Sequence, residues 1–316
     1  RKRKYKIDWE GFHPVQPSTL GCHTIEDQDL ETLIPYLDWS PFFRSWDLHG
    51  KYPGILNDEI VGKEATSLFV DAQNMLRKII DKKWLMAKAR FGLFPANTVE
   101  DDILVFDPND FDKEKFRLIT LRQQLQKRAG QPNLALADFV MPLEKGVRDY
   151  IGTFCVTTGY GTDEIAARFE KENDDYNSIM VKALADRLAE AFAEYLHREI
   201  RTRYWGYAPN ESLTNEELIR ERYKGIRPAP GYPACPDHLE KQTIWELMEV
   251  EKHIGVTLTE SYAMWPAASV SGYYFAHPEA KYFGLGKIKE DQLLEYSKRR
   301  KISLQDAKKW LNPNLT

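Results

Sequence analysis

A seven-residue stretch, Arg-Pro-Ala-Pro-Gly-Tyr-Pro at residues 227–233, restricts the backbone more than any other part of this sequence. Pro228 and Pro230 hold φ at about −65° and lack an N–H group, and each keeps the residue before it out of the α region. Gly231 can then turn the chain with a positive φ. We expect a stiff, mostly extended loop whose carbonyls lack the usual intrachain partners. Such a loop suits a small zwitterionic ligand, and a rigid connector is an equally good interpretation of these residues alone.

Helix-start signals flank this loop. Thr214 with Glu217, and Thr243 with Glu246, have the spacing of capping boxes, in which each side chain satisfies a backbone N–H at the start of a helix. The sequence therefore predicts that two rigid helices hold the loop between them.

Hydrophobic periodicity predicts a single α+β domain. Apolar residues recur at helical spacing over residues 58–82 and 176–203, and the second helix is expected to bury Ile179 and Leu184 among others. Between these helices, short β-prone segments separated by Asn, Asp, Gly and Pro favour an antiparallel or mixed sheet. The expected strands are residues 91–96, 103–106, 116–121, 134–140 and 150–156, and residues 281–288 resemble a further strand. No proline- or glycine-rich linker interrupts residues 23–316, and residues 1–22 form a polar lead-in.

The composition excludes several classes of function. The chain has 44 basic and 48 acidic residues and a net charge of −4, which argues against general binding to nucleic acid. No apolar run approaches the roughly 20 residues that span a bilayer, so a membrane is not an expected partner. Three widely separated cysteines indicate a reducing, cytoplasmic setting without a structural zinc site.

Three acidic residues are candidates for a site. Asp38 lies in a stretch rich in aromatic residues, where a carboxylate needs a partner or its pKa rises; the ordinary explanation is an N-cap. Asp186 and Glu190 are four residues apart and share one face of the long helix. The ordinary explanation of that pair is a solvated acidic stripe.

Motifs of nucleotide and hydrolytic chemistry are missing. The sequence contains no GxGxxG after a strand, no Walker-type loop, no GxSxG elbow and no HExxH pair. We therefore assign no catalytic residue and no metal ligand.

Longer strings of residues resemble the C-terminal activation domains of cobalamin-dependent methionine synthases. The resemblance extends from about residue 20 to residue 315 and is carried by residues 38–43, 92–97, 174–177, 180–192, 204–207, 225–233, 259–261 and 269–272. It implies a C-shaped domain over residues 23–316, with helices around a bent, mostly antiparallel sheet, and not a Rossmann-type fold. Residues 1–22 would be the linker from a preceding cobalamin-binding module.

The resemblance also implies that the domain binds S-adenosylmethionine. The RxxxGY motif of the family is matched by Arg227, Gly231 and Tyr232. Arg227 would pair with the ligand carboxylate, since its planar fork allows bidentate contact. Asp38 would accept a hydrogen bond from the ligand's α-ammonium group, and the backbone of Ala229 would contact the adenine and amino-acid ends.

Two further aromatic residues, Tyr282 and Phe283, would lie against the adenosyl portion. Asp186 and Glu190 would contact the cobalamin-binding module, and Tyr232 would lie near the corrin. Asp186, Glu190 and Tyr232 are therefore expected to form part of the interface that is used in activation.

In this family the parent enzyme moves a methyl group from methyltetrahydrofolate to homocysteine. The domain is expected to present the methyl group of S-adenosylmethionine to cob(I)alamin when oxidised cob(II)alamin enzyme is reductively methylated, with an electron from flavodoxin or a diflavin reductase. Cobalamin would be bound by a neighbouring module and zinc by another, and the isolated domain would not turn over. Two alternatives remain. One is a docking module for the cobalamin domain and flavodoxin that binds no ligand, and the other is a stand-alone methyltransferase.

Overall fold

The sheet at the centre of the fold is built from six strands. A computed structural model describes residues 3–315, so Arg1 and Lys2 of the lead-in, and Thr316, lie outside the described residues. The strands are β1 (Gly21–Ile25), β2 (Met86–Val99), β3 (Asp102–Asp107), β4 (Asp110–Ile119), β5 (Asp149–Tyr160) and β8 (Ser269–Tyr274). Their spatial order is β4-β3-β2-β5-β8, and β1 pairs with β2 outside this path. A separate hairpin pairs β6 (Thr257–Leu258) with β7 (Met264–Trp265).

All pairings between these strands are antiparallel. The helices are α1 (Ser40–Arg44), α2 (Gly62–Asp81), α3 (Thr162–Lys171), α4 (Asp175–Glu199), α5 (Asn215–Ile219), α6 (Glu240–Met248), α7 (Val250–Ile254), α8 (Glu290–Arg300) and α9 (Leu304–Leu311). The predicted α+β class with a mostly antiparallel sheet is confirmed.

Strands β2 and β5 form the centre of the sheet because both of their faces are covered. Phe91 and Phe154 pack into the hydrophobic cluster that contains α2 and α4. Phe94 and Ile151 pack into the cluster on the opposite face. Strands that are buried on both faces tend to be nearly continuous apolar runs, and this explains why the sequence located these two strands.

Helix α4 is the longest helix and lies against β5 and β8. The side chain of Asp174 caps it by accepting a hydrogen bond from the Asn177 N–H at 3.0 Å, and a turn of π-helix, Ile200–Tyr204, continues it. Leu184 is buried as expected, but Ile179 is 52% exposed, so its predicted burial is wrong.

Two of the expected strands are absent. Residues 134–140 form a buried 3₁₀ turn, Leu136–Phe139, because the Asp138 carboxylate accepts a hydrogen bond from the Ala135 N–H at 2.9 Å and pairs with Arg122. The described segment 281–288 forms no ladder with any of these strands; instead, the N–H of Leu285 donates to the carbonyl of Pro233 at 2.7 Å.

One of the two predicted helix starts is confirmed. Thr214 and Glu217 form a capping box at the start of α5. Thr243 lies inside α6, which begins at Glu240, so the second predicted start is wrong. Glu240, the first residue of α6, is buried and pairs with Arg300 at 2.8 Å.

The described part of the lead-in lies against the domain. The predicted boundary between residues 22 and 23 falls inside β1. Ile7 is buried in the same cluster as Phe94, and the carbonyl of Val15 accepts a hydrogen bond from the Trp205 indole N–H at 2.8 Å. Over residues 3–315, no helix is long and apolar enough to cross a membrane, and no group of three His, Cys, Asp or Glu side chains is arranged to hold a metal ion.

Candidate functional site

A cavity of about 480 Å³ lies between the loop at residues 227–233, helix α4 and the segment 281–288. Its lining is aromatic and aliphatic with one arginine and two glutamates: Phe154, Glu190, Glu221, Arg227, Pro228, Ala229, Tyr232, Pro233, Ala234, Val270, Tyr282 and Phe283. The structure therefore brings together five of the predicted ligand-binding residues, and Glu190 with them. A concave, mostly apolar site with a few polar groups is typical of small-molecule binding.

A larger hollow, of about 640 Å³, lies near Arg122 and Lys289. Its lining is charged or carries amide groups, and Arg122 is already paired with Asp101 and Asp138. None of the residues that line this hollow is aromatic or aliphatic, so it offers no apolar surface to a specific ligand.

Strand β8 fixes the proline loop from behind. The N–H of Tyr273 donates to the carbonyl of Pro228 at 2.9 Å, and Ile226 exchanges two hydrogen bonds of 3.0 Å with Phe275. The carbonyl of Ala229 accepts from the N–H of Tyr232 at 3.2 Å. The expectation that the loop carbonyls lack intrachain partners is thus wrong at Pro228 and Ala229, and the loop is held more firmly than its prolines alone would hold it.

Gly231 turns the loop and does not line the cavity. Its φ is +92°, and a Cβ atom at this position would lie 2.3 Å from Cε1 of His238. Only glycine fits both the conformation and the space. The turn leaves the next residue, Tyr232, 61% exposed at the rim of the cavity.

Arg227 lines the cavity and connects the loop to helix α4. Its Nη1 donates to Oε2 of Glu194 at 2.8 Å, and its backbone N–H donates to the hydroxyl of Tyr282 at 2.9 Å. That hydroxyl is 3.1 Å from the hydroxyl of Tyr223. Burial acts to lower the pKa of Arg227, but the neighbouring Glu194 and the two tyrosines outweigh it and raise the pKa. Arg227 therefore keeps its charge although its side chain is only 19% exposed.

Asp38 is not part of the cavity lining. It is half-buried before α1, and its Oδ1 accepts a hydrogen bond from the Ser40 N–H at 3.0 Å. The N-cap of α1 is Trp39, which makes no side-chain capping hydrogen bond, so the N-cap interpretation of Asp38 is wrong. The contact of Asp38 with Ser40 is instead a local turn of the kind that aspartate side chains make with the backbone two residues on.

Asp186 and Glu190 point to different surroundings. Asp186 is exposed on α4 and lies outside the cavity, whereas Glu190 is half-buried and lines it. Although Asp186 is exposed, the atoms packed around its carboxylate displace some of its water and raise its pKa; Arg187 opposes the shift and Glu190 adds to it.

Sequence reasoning missed Glu194 and Glu221. Glu194 continues the four-residue spacing of Asp186 and Glu190 by one more turn. That spacing was the signal in the sequence that could have indicated a third acidic residue on the same face of the helix. Glu221 lines the cavity from the loop after α5, where no pattern pointed to it. Burial raises the pKa of Glu221, and Arg227 opposes the shift.

The sequence matches the family model for the activation domain of vitamin B12-dependent methionine synthase over residues 29–301. This chain belongs to that family. A crystal structure of the MetH reactivation domain bound to AdoHcy is similar to it at 54% sequence identity and a TM-score of 0.97, and the match covers 99% of this chain and 96% of that one. The chain is therefore part of a methionine synthase and acts together with the other modules of that enzyme, as the sequence strings predicted.

Proposed function

We propose that this activation domain binds S-adenosylmethionine in the cavity beside residues 227–233 and presents its methyl group for the reductive methylation of cob(II)alamin enzyme. The observation that carries the proposal is the charged guanidinium of Arg227 at the wall of an otherwise mostly apolar cavity. The related MetH reactivation domain holds AdoHcy, which is what S-adenosylmethionine becomes when its methyl group is transferred.

The chemistry of the lining suits each part of this ligand. Arg227 offers a planar fork for the carboxylate. Glu190 and Glu221 supply negative charge for the sulfonium and ammonium groups. The rings of Tyr282 and Phe283 offer faces for the adenine. The role of Asp38 as acceptor of a hydrogen bond from the ammonium group stays a prediction, because Asp38 does not line the cavity.

The residues of this chain would act by binding and orientation. A sulfonium already carries an activated methyl group and cob(I)alamin, supplied by a neighbouring module, is a strong nucleophile, so no general base is required. Orientation is what a cavity with fixed walls can provide. The absence of a catalytic dyad from the sequence agrees with this role.

The remaining parts of the proposal concern the parent enzyme. We propose that it transfers a methyl group from methyltetrahydrofolate to homocysteine in the cytoplasm, that flavodoxin or a diflavin reductase supplies the electron, and that zinc belongs to another module. Residues 1–22 would lead from the cobalamin-binding module. Asp186, Glu190 and Tyr232 would contact that module, and the isolated domain would not turn over.

Calorimetric titration of S-adenosylmethionine tests the proposal. We expect one-to-one binding to the wild-type chain and binding at least about tenfold weaker to Arg227→Ala, since a hydrogen-bonded charge pair contributes about 1.5–3 kcal/mol. Arg220→Ala removes the same side chain from an exposed pair with Glu216 and should bind as the wild type does. No binding to the wild-type chain would favour the docking-module alternative.

A further inference from the structure

The guanidinium of Arg227 is held by two side chains of α4 that lie one turn apart. Glu194 accepts its Nη1 hydrogen bond at 2.8 Å, and Nδ1 of His197 is 3.5 Å from the same nitrogen. Glu194 is buried and His197 is fully buried. Among residues 3–315, neither Nε nor Nη2 of Arg227 donates a hydrogen bond. One edge of the guanidinium therefore faces the helix, and the other is available to a ligand.

Glu194 belongs to a row of alternating charges that ends at the cavity. Arg201, on the π-helical turn after α4, forms two hydrogen bonds with the carboxylate of Glu211 at 2.7 and 2.6 Å. Its Nη1 lies 4.0 Å from Oε1 of Glu194, and Glu194 in turn pairs with Arg227. The order of side chains in the row is Glu211, Arg201, Glu194 and Arg227, with negative and positive charges in turn. Because the last member is a cation, a ligand carboxylate bound to it would be the next negative charge in the row.

His197 supports this arrangement as a neutral ring. It stacks on Tyr274 with ring centroids 5.1 Å apart and meets the edge of Tyr223 at 4.7 Å. Burial, together with the charges of Arg201 and Arg227, lowers the pKa of His197 well below its ordinary value. A neutral ring beside the guanidinium adds no competing charge, which leaves the orientation of Arg227 to Glu194.

We propose that Glu194 is a positioning residue that aims Arg227 at the ligand carboxylate and thereby makes the cavity select adenosyl ligands that carry a carboxylate. The inference rests on the proposed function, because it assigns the carboxylate of S-adenosylmethionine to Arg227. It differs from a role in charge balance alone, since a positioning role depends on the length of the side chain as well as its charge.

Two substitutions separate length from charge. Glu194→Asp keeps the charge but draws the carboxylate back by one methylene, and with it the guanidinium. Glu194→Gln keeps the length and an acceptor oxygen but removes the charge. Each variant is titrated with S-adenosylmethionine and with 5′-methylthioadenosine, which has the adenosyl portion but no amino acid. Binding of 5′-methylthioadenosine also reports that the cavity of the variant is folded.

We expect Glu194→Asp to lose about tenfold in affinity for S-adenosylmethionine, because the displaced guanidinium of Arg227 makes a weaker charge-assisted hydrogen bond with the ligand carboxylate. The same variant should bind 5′-methylthioadenosine within about twofold of wild type. Glu194→Gln should lose less. Glu199→Gln, on the same helix, should leave both affinities unchanged. If Glu194→Asp matches wild type while Glu194→Gln does not, Glu194 acts by charge alone and the proposal is wrong.

The titration of the wild-type chain separates a failure of the proposed function from a failure of this inference, because a wild-type chain that does not bind S-adenosylmethionine would show that the proposed function itself is wrong. If both Glu194 variants weaken the two ligands in parallel, Glu194 only supports the structure of the cavity; if neither affinity changes, Glu194 has no part in binding. Either result overturns the proposal. If the wild-type chain binds S-adenosylmethionine but Arg227→Ala does so equally well, the assignment of the carboxylate to Arg227 is wrong instead.

Discussion

Substituting Gly272 by alanine is the most direct test of how strand β8 holds the binding loop. A Cβ atom on Gly272 would lie 2.5 Å from the carbonyl oxygen of Pro228 and 3.1 Å from Cε1 of Phe154. That carbonyl also accepts the hydrogen bond from Tyr273. The new methyl group would therefore meet a backbone oxygen that is already hydrogen-bonded to Tyr273, the residue after Gly272. A backbone oxygen cannot move aside by a change of side-chain rotamer.

The cost of Gly272→Ala follows from these distances. Ordinary contact begins at 3.4 Å, so the Pro228 carbonyl must move by about 0.9 Å from its 2.5 Å position. Forcing a methyl group into a packed site costs about 1–3 kcal/mol, and weakening the Tyr273 hydrogen bond adds about 1 kcal/mol. We expect the free energy of unfolding to fall by about 2–4 kcal/mol in total. Because Pro228 and Ala229 line the cavity, affinity for S-adenosylmethionine should fall at least about tenfold.

Urea denaturation and calorimetric titration of the same variant measure both effects. Gly284→Ala is the matched control, because it makes the same chemical change where the nearest heavy atom is 3.9 Å away; its stability should stay within about 0.5 kcal/mol of wild type. A Gly272→Ala variant that is as stable as this control and binds as tightly would refute the argument that β8 positions the loop.

Two further predictions concern helix α4. The depressed pKa of His197 keeps it neutral in the folded state, whereas in the unfolded chain it takes up a proton below about pH 6.5; the free energy of unfolding should therefore fall as the pH drops below that value, by up to about 1.4 kcal/mol per pH unit from this residue. Urea denaturation at pH 7.5 and 5.5 should give a smaller pH dependence for His197→Gln, and an unchanged one would contradict a neutral buried histidine. Asp186→Asn should leave S-adenosylmethionine affinity intact but slow reactivation of the full enzyme, whereas Glu190→Gln, in the cavity lining, should affect both. Weakened ligand binding by Asp186→Asn alone would contradict the separation of these two roles.

Parts of the fold that depend on local or strongly repeated patterns could be predicted from the sequence. Strands β2 and β5 were located because continuous apolar residues cover both of their faces, and α5 because its capping box is complete within four residues. The turn at residues 134–140 could not be predicted, because its conformation depends on Asp138 and its partner Arg122 sixteen residues away. The local β propensity of that segment was overridden by a contact that the pattern does not contain.

The candidate site shows the same division. Arg227, Tyr232, Tyr282 and Phe283 were expected together because the sequence resembles a known family, and the structure places them around one cavity. Glu194 was missed because its role depends on Arg227, 33 residues away in the chain. The sequence around Glu194 contains no pattern that identifies Arg227 as its partner, so its role could be recognised only in the structure.

Helix α4 also limits how this domain can change over evolution. Asp186, at the proposed docking face, and Glu194, beside the ligand site, are eight residues apart, or about 12 Å along one continuous helix. A substitution that slides or rotates α4 must therefore alter both surfaces at once. A recombined or grafted version of this domain would keep ligand binding and docking matched only if it inherited α4 and residues 227–233 from the same parent.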